Sequence, residues 1–198
     1  MGSYSEDAAL LGRNSAEHKI VLFSDFQDGG CVPAQNMLKT LCETHGGAFF
    51  CVDLPRSAEH VVVESVCSYP TLSVLQNETT KTLYTGTDPA QIQKEVEAEV
   101  ALQERLSALV TQEGLFVLIK GTPESPRCKF TRMLLETLAA LGMAYGHFDI
   151  LSDEAIRQEM KTYSNWQTYP QVYYCGRFLG GLDTFSRLVE TGQFPRTE

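Results

Sequence analysis

One order of features occurs twice along this chain: an apolar strand-like run, a loop rich in Gly, Asp or Pro, a cysteine, and a helical pattern. An X-Pro step, a hairpin and a closing helix then follow. In the first pass Ile20-Val21-Leu22-Phe23 is the apolar run, Asp25 to Gly30 the loop, and Met37, Leu38 and Leu41 the helical face behind Cys31. Phe49 to Leu54 reads as a second strand, and Ala58 to Val66 as helix or strand, with context favouring helix. Tyr69-Pro70 precedes Thr71 to Leu75 and Thr82 to Thr85, a hairpin about polar Gln76 to Lys81. Asp88-Pro89 opens a helix as N-cap and first-turn proline. In the second pass the strand is Leu115 to Lys120, the loop Gly121 to Arg127, and the helix behind Cys128 carries Leu134, Leu135 and Leu138. Ala144 to Ile150 is a strand, and Ser152 to Tyr163 a helix with Ser152 as N-cap. Tyr169-Pro170 leads into strands Gln171 to Cys175 and Phe178-Leu179, and a helix from Asp183 to Glu190 closes the unit. The Cys-to-Pro separations are 39 and 42 residues. So long a period marks duplicated architecture: two βαβαββα units, each within the usual domain size of ~100 residues.

The expected organisation is a loose polar arm over 1–17, one α/β unit over 18–100 and a second over 101–198. Gln91 to Glu113, rich in Glu, Gln and Ala, reads as helix running from one unit into the next, a stiffer coupling than a Gly/Ser tether. The net charge of −9 argues against a nucleic-acid or anionic-membrane partner. No apolar run reaches the ~18–20 residues of a membrane span. The acidic opening Ser5-Glu6-Asp7 lacks the apolar core of a secretory leader and the arginines of a transit peptide, and Glu6 breaks the myristoylation pattern. Six cysteines are scattered with no CxxC pair, unlike a disulfide scaffold or a zinc ribbon. A reduced, intracellular protein is expected, and the sequon Asn77-Glu78-Thr79 is then a chance match.

A cysteine at the first turn of a helix meets unpaired N–H groups and the positive end of the helix dipole, which favour its thiolate. Cys128 has that placement, between Arg127 and Lys129. Cys42, Cys51 and Cys175 fall inside helix or strand patterns and read as small buried hydrophobes.

Residues 102–198 resemble a monothiol glutaredoxin. The resemblance rests on Lys120-Gly121-Thr122-Pro123, on Cys128-Lys129-Phe130-Thr131 where the family has CGFS, on Tyr163-Ser164-Asn165-Trp166-Gln167-Thr168-Tyr169-Pro170-Gln171, and on Gly180-Gly181-Leu182-Asp183. Residues 18–100 resemble a thioredoxin domain, as in the PICOT-type glutaredoxins, on the strand-loop-Cys-helix order and Ser68-Tyr69-Pro70-Thr71. The fold class implied is α/β, two tandem thioredoxin-fold domains, each a mixed sheet flanked by helices.

The resemblance implies a glutathione site. Lys120 and Arg157 would meet the glycine carboxylate, and Tyr169, before a proline the family keeps cis, would pair its backbone with the cysteinyl part. Leu182 and Asp183 would hold the γ-glutamyl end, by backbone N–H and by carboxylate to ammonium. It also implies a 2Fe-2S cluster shared by a homodimer, with Cys128 and one glutathione thiolate from each side supplying the four sulfur ligands. BolA-like proteins and iron–sulfur client apoproteins are the implied partners, and the cytoplasm or nucleus the implied location. Thr131 stands where a dithiol enzyme keeps its second Cys, so any enzyme activity is at most weak thiol–disulfide exchange on glutathionylated substrates. Lys129 in place of glycine puts a long cation beside the thiol, which either stabilises it or crowds a partner protomer.

The front unit lacks the thioredoxin Cys pair. Without gaps, Gln27-Asp28-Gly29-Gly30-Cys31 falls on the active-site motif, with Asp28 in the attacker's place and Cys31 in the resolver's. Shifted by three, Cys31 becomes the attacker and Ala34 takes the resolver's place. Either way this unit is expected to be redox-inactive, and an adaptor role through it is the third functional reading beside cluster carrier and monothiol oxidoreductase.

Overall fold

The computed structural model describes residues 19–24, 29–45, 49–53, 70–76 and 79–194. The expected arm over 1–17 and the expected helix Ala58 to Val66 lie outside these residues. Contacts divide the chain into two units, with the break between Ala101 and Leu102.

In the first unit β1 (Lys19–Ser24) leads through a 3-10 turn (Gly29–Cys31) into α1 (Val32–His45), followed by β2 (Phe49–Asp53), β3 (Thr71–Gln76) and β4 (Thr79–Thr85). The sheet order is β2-β1-β3-β4, with β1 and β2 parallel and the other pairs antiparallel. Ile20, Leu22, Leu72 and Val74 pack against Ala34, Leu38 and Leu41 of α1 and against Ile92 and Val96. The hairpin is tighter than its polar sequence suggests, because β4 starts at Thr79. As the sheet's edge strand β4 leaves Thr80 and Lys81 in solvent, so pairing there needs backbone bonds and no apolar alternation.

Helix α2 (Pro89–Val110) runs unbroken across the division between the units, and Asp88 Oδ1 accepts the Ala90 N–H at 3.0 Å at its start.

The second unit repeats the plan with β5 (Leu115–Ile119), α3 (Lys129–Ala140), β6 (Tyr145–Asp149), α4 (Glu154–Tyr163), β7 (Gln171–Tyr174), β8 (Arg177–Gly180) and α5 (Leu182–Glu190). Its strand order, β6-β5-β7-β8, is that of the first sheet, and β5 and β6 are parallel. Both hairpins carry a register shift at the equivalent place, Leu72/Ser73 and Val172/Tyr173. Strand alternation sends Leu115, Val117 and Ile119 to one face, against Leu134 and Leu138 of α3 and Phe185 of α5. Phe116 and Leu118 go to the other, against Leu106 and Val110 of α2 and Ile156 and Met160 of α4. Every β5 residue is buried, and each such side chain contributes about 1.5–3 kcal/mol. The chain is thus two tandem thioredoxin-fold α/β units, each a mixed sheet with helices packed on it.

Two local readings are corrected. The N-cap of α4 is Asp153, whose Oδ1 accepts the Ile156 N–H at 3.1 Å, while the Ser152 hydroxyl donates to the Asp149 carbonyl at 2.6 Å. Cys175 is not a buried strand residue: it is exposed at φ +47 beside Gly176 at φ +81, and the two form the tight turn between β7 and β8.

Candidate functional site

Register alone gathers the candidate residues. Leu118 of β5 stands opposite Gln171 of β7, and Val172 of β7 opposite Gly180 of β8. The end of β5, the start of β7 and the end of β8 therefore share one rim of the sheet. Lys120, Tyr169-Pro170 and Gly181-Leu182 lie just beyond those strand ends, and the parallel β6 ends there with Asp149.

The loop from Lys120 to Cys128 is narrow because Gly121 permits it. Its φ is +86, and a Cβ there would stand 2.3 Å from the Ser125 carbonyl oxygen. The Gly121 N–H donates to Asp149 Oδ1 at 2.8 Å, and the Arg127 N–H to the Lys120 carbonyl at 2.8 Å. This closed loop delivers Cys128 as the N-cap of α3, extended at φ −142 and ψ 141, with its thiol making no capping bond. Cys128 is partly exposed, and the Arg132 N–H donates to its carbonyl at 3.0 Å. The first-turn N–H groups thus point toward a thiol flanked by exposed Arg127, Lys129 and Arg132.

Thr131, in the place where a dithiol enzyme keeps its second cysteine, is fully buried, and its Oγ1 accepts the Lys120 N–H at 3.2 Å. That bond ties the first turn of α3 to the end of β5. Lys129 places its ammonium 4.8 Å from the centroid of the exposed Phe130 ring, a cation–π contact worth about 0.5–1 kcal/mol at such a site.

Of the other candidates, Lys120 is partly exposed and forms no ion pair with any described residue. Arg157, on α4, bonds Glu154 through Nη1 at 2.9 Å, while its Nε is buried without a partner among the described residues. Its carbonyl accepts the Tyr169 hydroxyl at 2.8 Å, which sets it beside the Tyr169-Pro170 step. That peptide is cis, and burial pushes the Tyr169 phenol up to about 12. Leu182 is buried and Asp183 exposed in the first turn of α5, whose N-cap Gly181 offers no side chain to the free N–H groups. Gly180, at φ +112, is forced: a Cβ would lie 2.6 Å from Thr184 Cβ. A Cβ on Gly181 would lie 3.4 Å from Trp166 Nε1 and 3.5 Å from the Pro170 carbonyl oxygen, so Trp166 borders this end of the rim. Lys120, Cys128, Tyr169 and Leu182 are thus gathered at one rim, with Asp183 next in the α5 turn and Arg157 joined through Tyr169.

Sequence reasoning missed Asp149 as a supporting residue, and named Thr131 and Gln171 without finding what they support. Asp149 anchors both the Gly121 and Leu151 N–H groups. Buried Gln171 donates to the Trp166 carbonyl at 3.0 Å and accepts the Tyr173 hydroxyl at 2.8 Å. Thr131 struts the Lys120 end. A polar residue closing a strand at Asp149 and one opening a strand directly after proline at Gln171 are the signals left, while Thr131 showed only as a hydroxyl in the second cysteine's place.

Comparison with known proteins adds the following. The glutaredoxin family model matches residues 115–179. Glutaredoxin 3 of Danio rerio is 47% identical over 100 residues, 48% of this chain and 31% of that protein. Monothiol glutaredoxin-4 of Schizosaccharomyces pombe is 44% identical over 92 residues, 46% of this chain and 38% of that protein. Glutaredoxin-3 of Mus musculus is 33% identical over 175 residues, 80% of this chain and 52% of that protein. The chain therefore spans about half, or less, of the length of these relatives.

Proposed function

This chain belongs to the monothiol glutaredoxin family, in the PICOT-type order of a thioredoxin-like unit ahead of a glutaredoxin unit, and on that premise we propose that it binds glutathione at the Cys128 rim and carries a 2Fe-2S cluster between two copies of itself. The observation behind this reading is the single, partly exposed Cys128 at the head of α3, with buried Thr131 in the resolver's place. A thiolate without an intramolecular partner is open to a ligand or an exogenous thiol.

The rim suits a tripeptide of glutathione's charge pattern. Among the described residues Lys120 forms no ion pair and the buried Nε of Arg157 has no partner, and the first turn of α5 has no side-chain cap. Lys120 and Arg157 hold the glycine carboxylate in this reading, the Tyr169 backbone the cysteinyl part, the Leu182 and Asp183 N–H groups the γ-glutamyl carboxylate, and the Asp183 side chain its ammonium. Among the described residues no group of three or more His, Cys, Asp or Glu could hold a metal. In this reading each chain supplies Cys128 to the cluster, and a cluster of this size needs four ligands. A second Cys128 and two glutathione thiolates complete the set, which is why cargo binding implies a homodimer. BolA-like proteins and client apoproteins are the partners proposed for the loaded form, in cytoplasm or nucleus.

Lys129 favours a second reading, monothiol exchange, because a symmetric pair of Cys128 rims brings two Lys129 ammonium groups together. In that reaction the Cys128 thiolate attacks the glutathione sulfur of a protein mixed disulfide and expels the protein thiolate. A second glutathione thiolate then attacks the same sulfur, releasing Cys128 and glutathione disulfide. Anaerobic reconstitution with glutathione, iron and sulfide separates the two. A brown dimer, lost in Cys128→Ser, supports the carrier; a colourless monomer with brisk mixed-disulfide turnover overturns it in favour of exchange.

A further inference from the structure

We propose that the second unit holds a binding cavity for a small hydrophobic amine, at the end of its sheet opposite Cys128. The cavity has a volume of about 660 Å³ and lies where β5 begins and β7 ends. Small-molecule sites span roughly 300–1,000 Å³. Leu115 lines the cavity and Lys120 stands at the Cys128 rim, so the length of β5, about 16 Å, keeps the two sites apart.

The lining gives the ligand its apolar body. Every described residue around the cavity is glycine or apolar, the Tyr174 hydroxyl aside, in a chain with 25 acidic and 16 basic residues. Tyr174 and Phe194 form one wall, edge to face with centroids 5.4 Å apart. Across from them Leu141 and Met143, at the end of α3, leave apolar surface open to solvent. Gly114, Gly142 and Gly192 turn at φ +74, +63 and +67, and a Cβ on any of them would meet nothing within 4 Å. The three turns thus border open space rather than packed side chains.

The electrostatics give the ligand its head group. Helices α3 and α5 start at the Cys128 rim and finish here, where Ala140 and Val189 of their last turns line the cavity. A helix ends in carbonyls without intrahelical partners and a negative partial charge. Exposed Glu113 and Glu190 adjoin the lining residues Gly114 and Val189 and add full negative charge. The last turn of α3 has no basic residue. That of α5 has Arg187, which stands roughly 200° round the helix from Val189 and so turns away from the cavity. An anion is repelled by this arrangement, and a neutral apolar molecule gains burial alone. A protonated amine on an aromatic or alicyclic body gains both, at a factor of about 2–5 in affinity per helix end.

The test titrates the full, reduced chain with 1-naphthylmethylammonium, 1-naphthylmethanol and 1-naphthylacetate, which share a body and differ in charge. Amide NMR reads the site, because the backbone N–H groups of Gly114, Gly142 and Gly192 border the cavity whereas those of Gly121, Gly180 and Gly181 border the rim. The ammonium compound is expected to shift the first three glycines with a Kd of about 1 mM or tighter. It should bind at least fivefold tighter than the carboxylate, with the alcohol between. Ala144→Trp, at an exposed position on the cavity wall, should weaken all three compounds at least fivefold by filling the space. Glu113→Lys with Glu190→Lys, both in solvent, should weaken only the ammonium compound, about threefold or more, and thermal melts verify that each variant folds. Saturating glutathione should leave every affinity unchanged, so the result does not depend on what the rim binds. Shifts confined to the rim glycines, equal affinity for the three charges, or displacement by glutathione overturns the proposal. So does indifference of a folded Ala144→Trp variant, or of the double reversal.

Discussion

Replacing Thr131 by valine tests the strut between α3 and the end of β5. The side chain is fully buried, and its Oγ1 is the acceptor for the Lys120 N–H at 3.2 Å. Valine keeps the shape but leaves that N–H facing a methyl group, and a buried donor stripped of its acceptor costs about 1–3 kcal/mol. Thr131→Ser keeps the acceptor and removes one buried methyl, a loss of about 1 kcal/mol. Global stabilities of the two variants therefore overlap, and a local readout is needed. Amide hydrogen exchange at Lys120 supplies it: protection should fall by roughly tenfold or more in Thr131→Val, the equivalent of about 1.4 kcal/mol, and stay near the parent in Thr131→Ser. Glutathione titration should follow the same order, because Lys120 is the cation proposed for the glycine carboxylate. If the Lys120 amide exchanges equally in both variants, the hydroxyl is not a strut and the reasoning fails.

Gly180→Ala forces a Cβ to 2.6 Å from Thr184 Cβ at a φ of +112, so about 1–3 kcal/mol of stability and part of the glutathione affinity should be lost, read by urea melts and calorimetry. Asp153→Ala removes the α4 cap and should cost about 1 kcal/mol at neutral pH. The Ile156 N–H, and next Arg105, hold the Asp153 carboxyl below its ordinary value, so this stability is present above about pH 4 and lost as pH falls through the lowered pKa. Parent and variant should converge in acid melts; a constant gap would refute the linkage. For Tyr169, whose phenol burial raises to about 12, the contribution is complete below about pH 10 and declines as pH climbs toward 12, a dependence Tyr169→Phe should lack.

The sheets were legible because their inner strands announce themselves. Ile20 to Phe23 and Leu115 to Ile119 are buried on both faces and read as continuous apolar runs. Where long-range contacts decide, sequence falls short. Ser152 and Asp153 are both good caps, and the choice is made with Arg105 on α2, whose Nη2 lies 2.5 Å from Asp153 Oδ2. Cys175-Gly176 takes the positive φ values of a two-residue hairpin turn, where Asn-Gly is the usual signal, so the cysteine disguised it. At the site, the cation at 120, the cysteine and the glycine pair could be picked out as letters. The roles of Asp149, Thr131 and Gln171 could not, since each is defined by a hydrogen bond across the fold.

The duplication also bears on why chemistry is proposed for one unit only. Cys31 immediately precedes α1 as Cys128 immediately precedes α3, so the shifted alignment holds: Cys31 occupies the attacker's place and Ala34 the place of Thr131. Ala34 and Thr131 are both fully buried, and neither can resolve a disulfide. The two leading cysteines differ in access, since Cys31 is 1% exposed whereas Cys128 is partly open. Exchange requires a disulfide sulfur to approach the thiolate in line, and a sealed sulfur prevents that however well the helix end would stabilise its charge. Brief alkylation of the native, reduced protein with iodoacetamide, followed by peptide mapping, should therefore label Cys128 and exposed Cys175 within minutes and Cys31 only after denaturation. If Cys31 is labelled as fast as Cys128, the first unit retains a reactive thiol, and its assignment as a catalytically silent copy of the second fails.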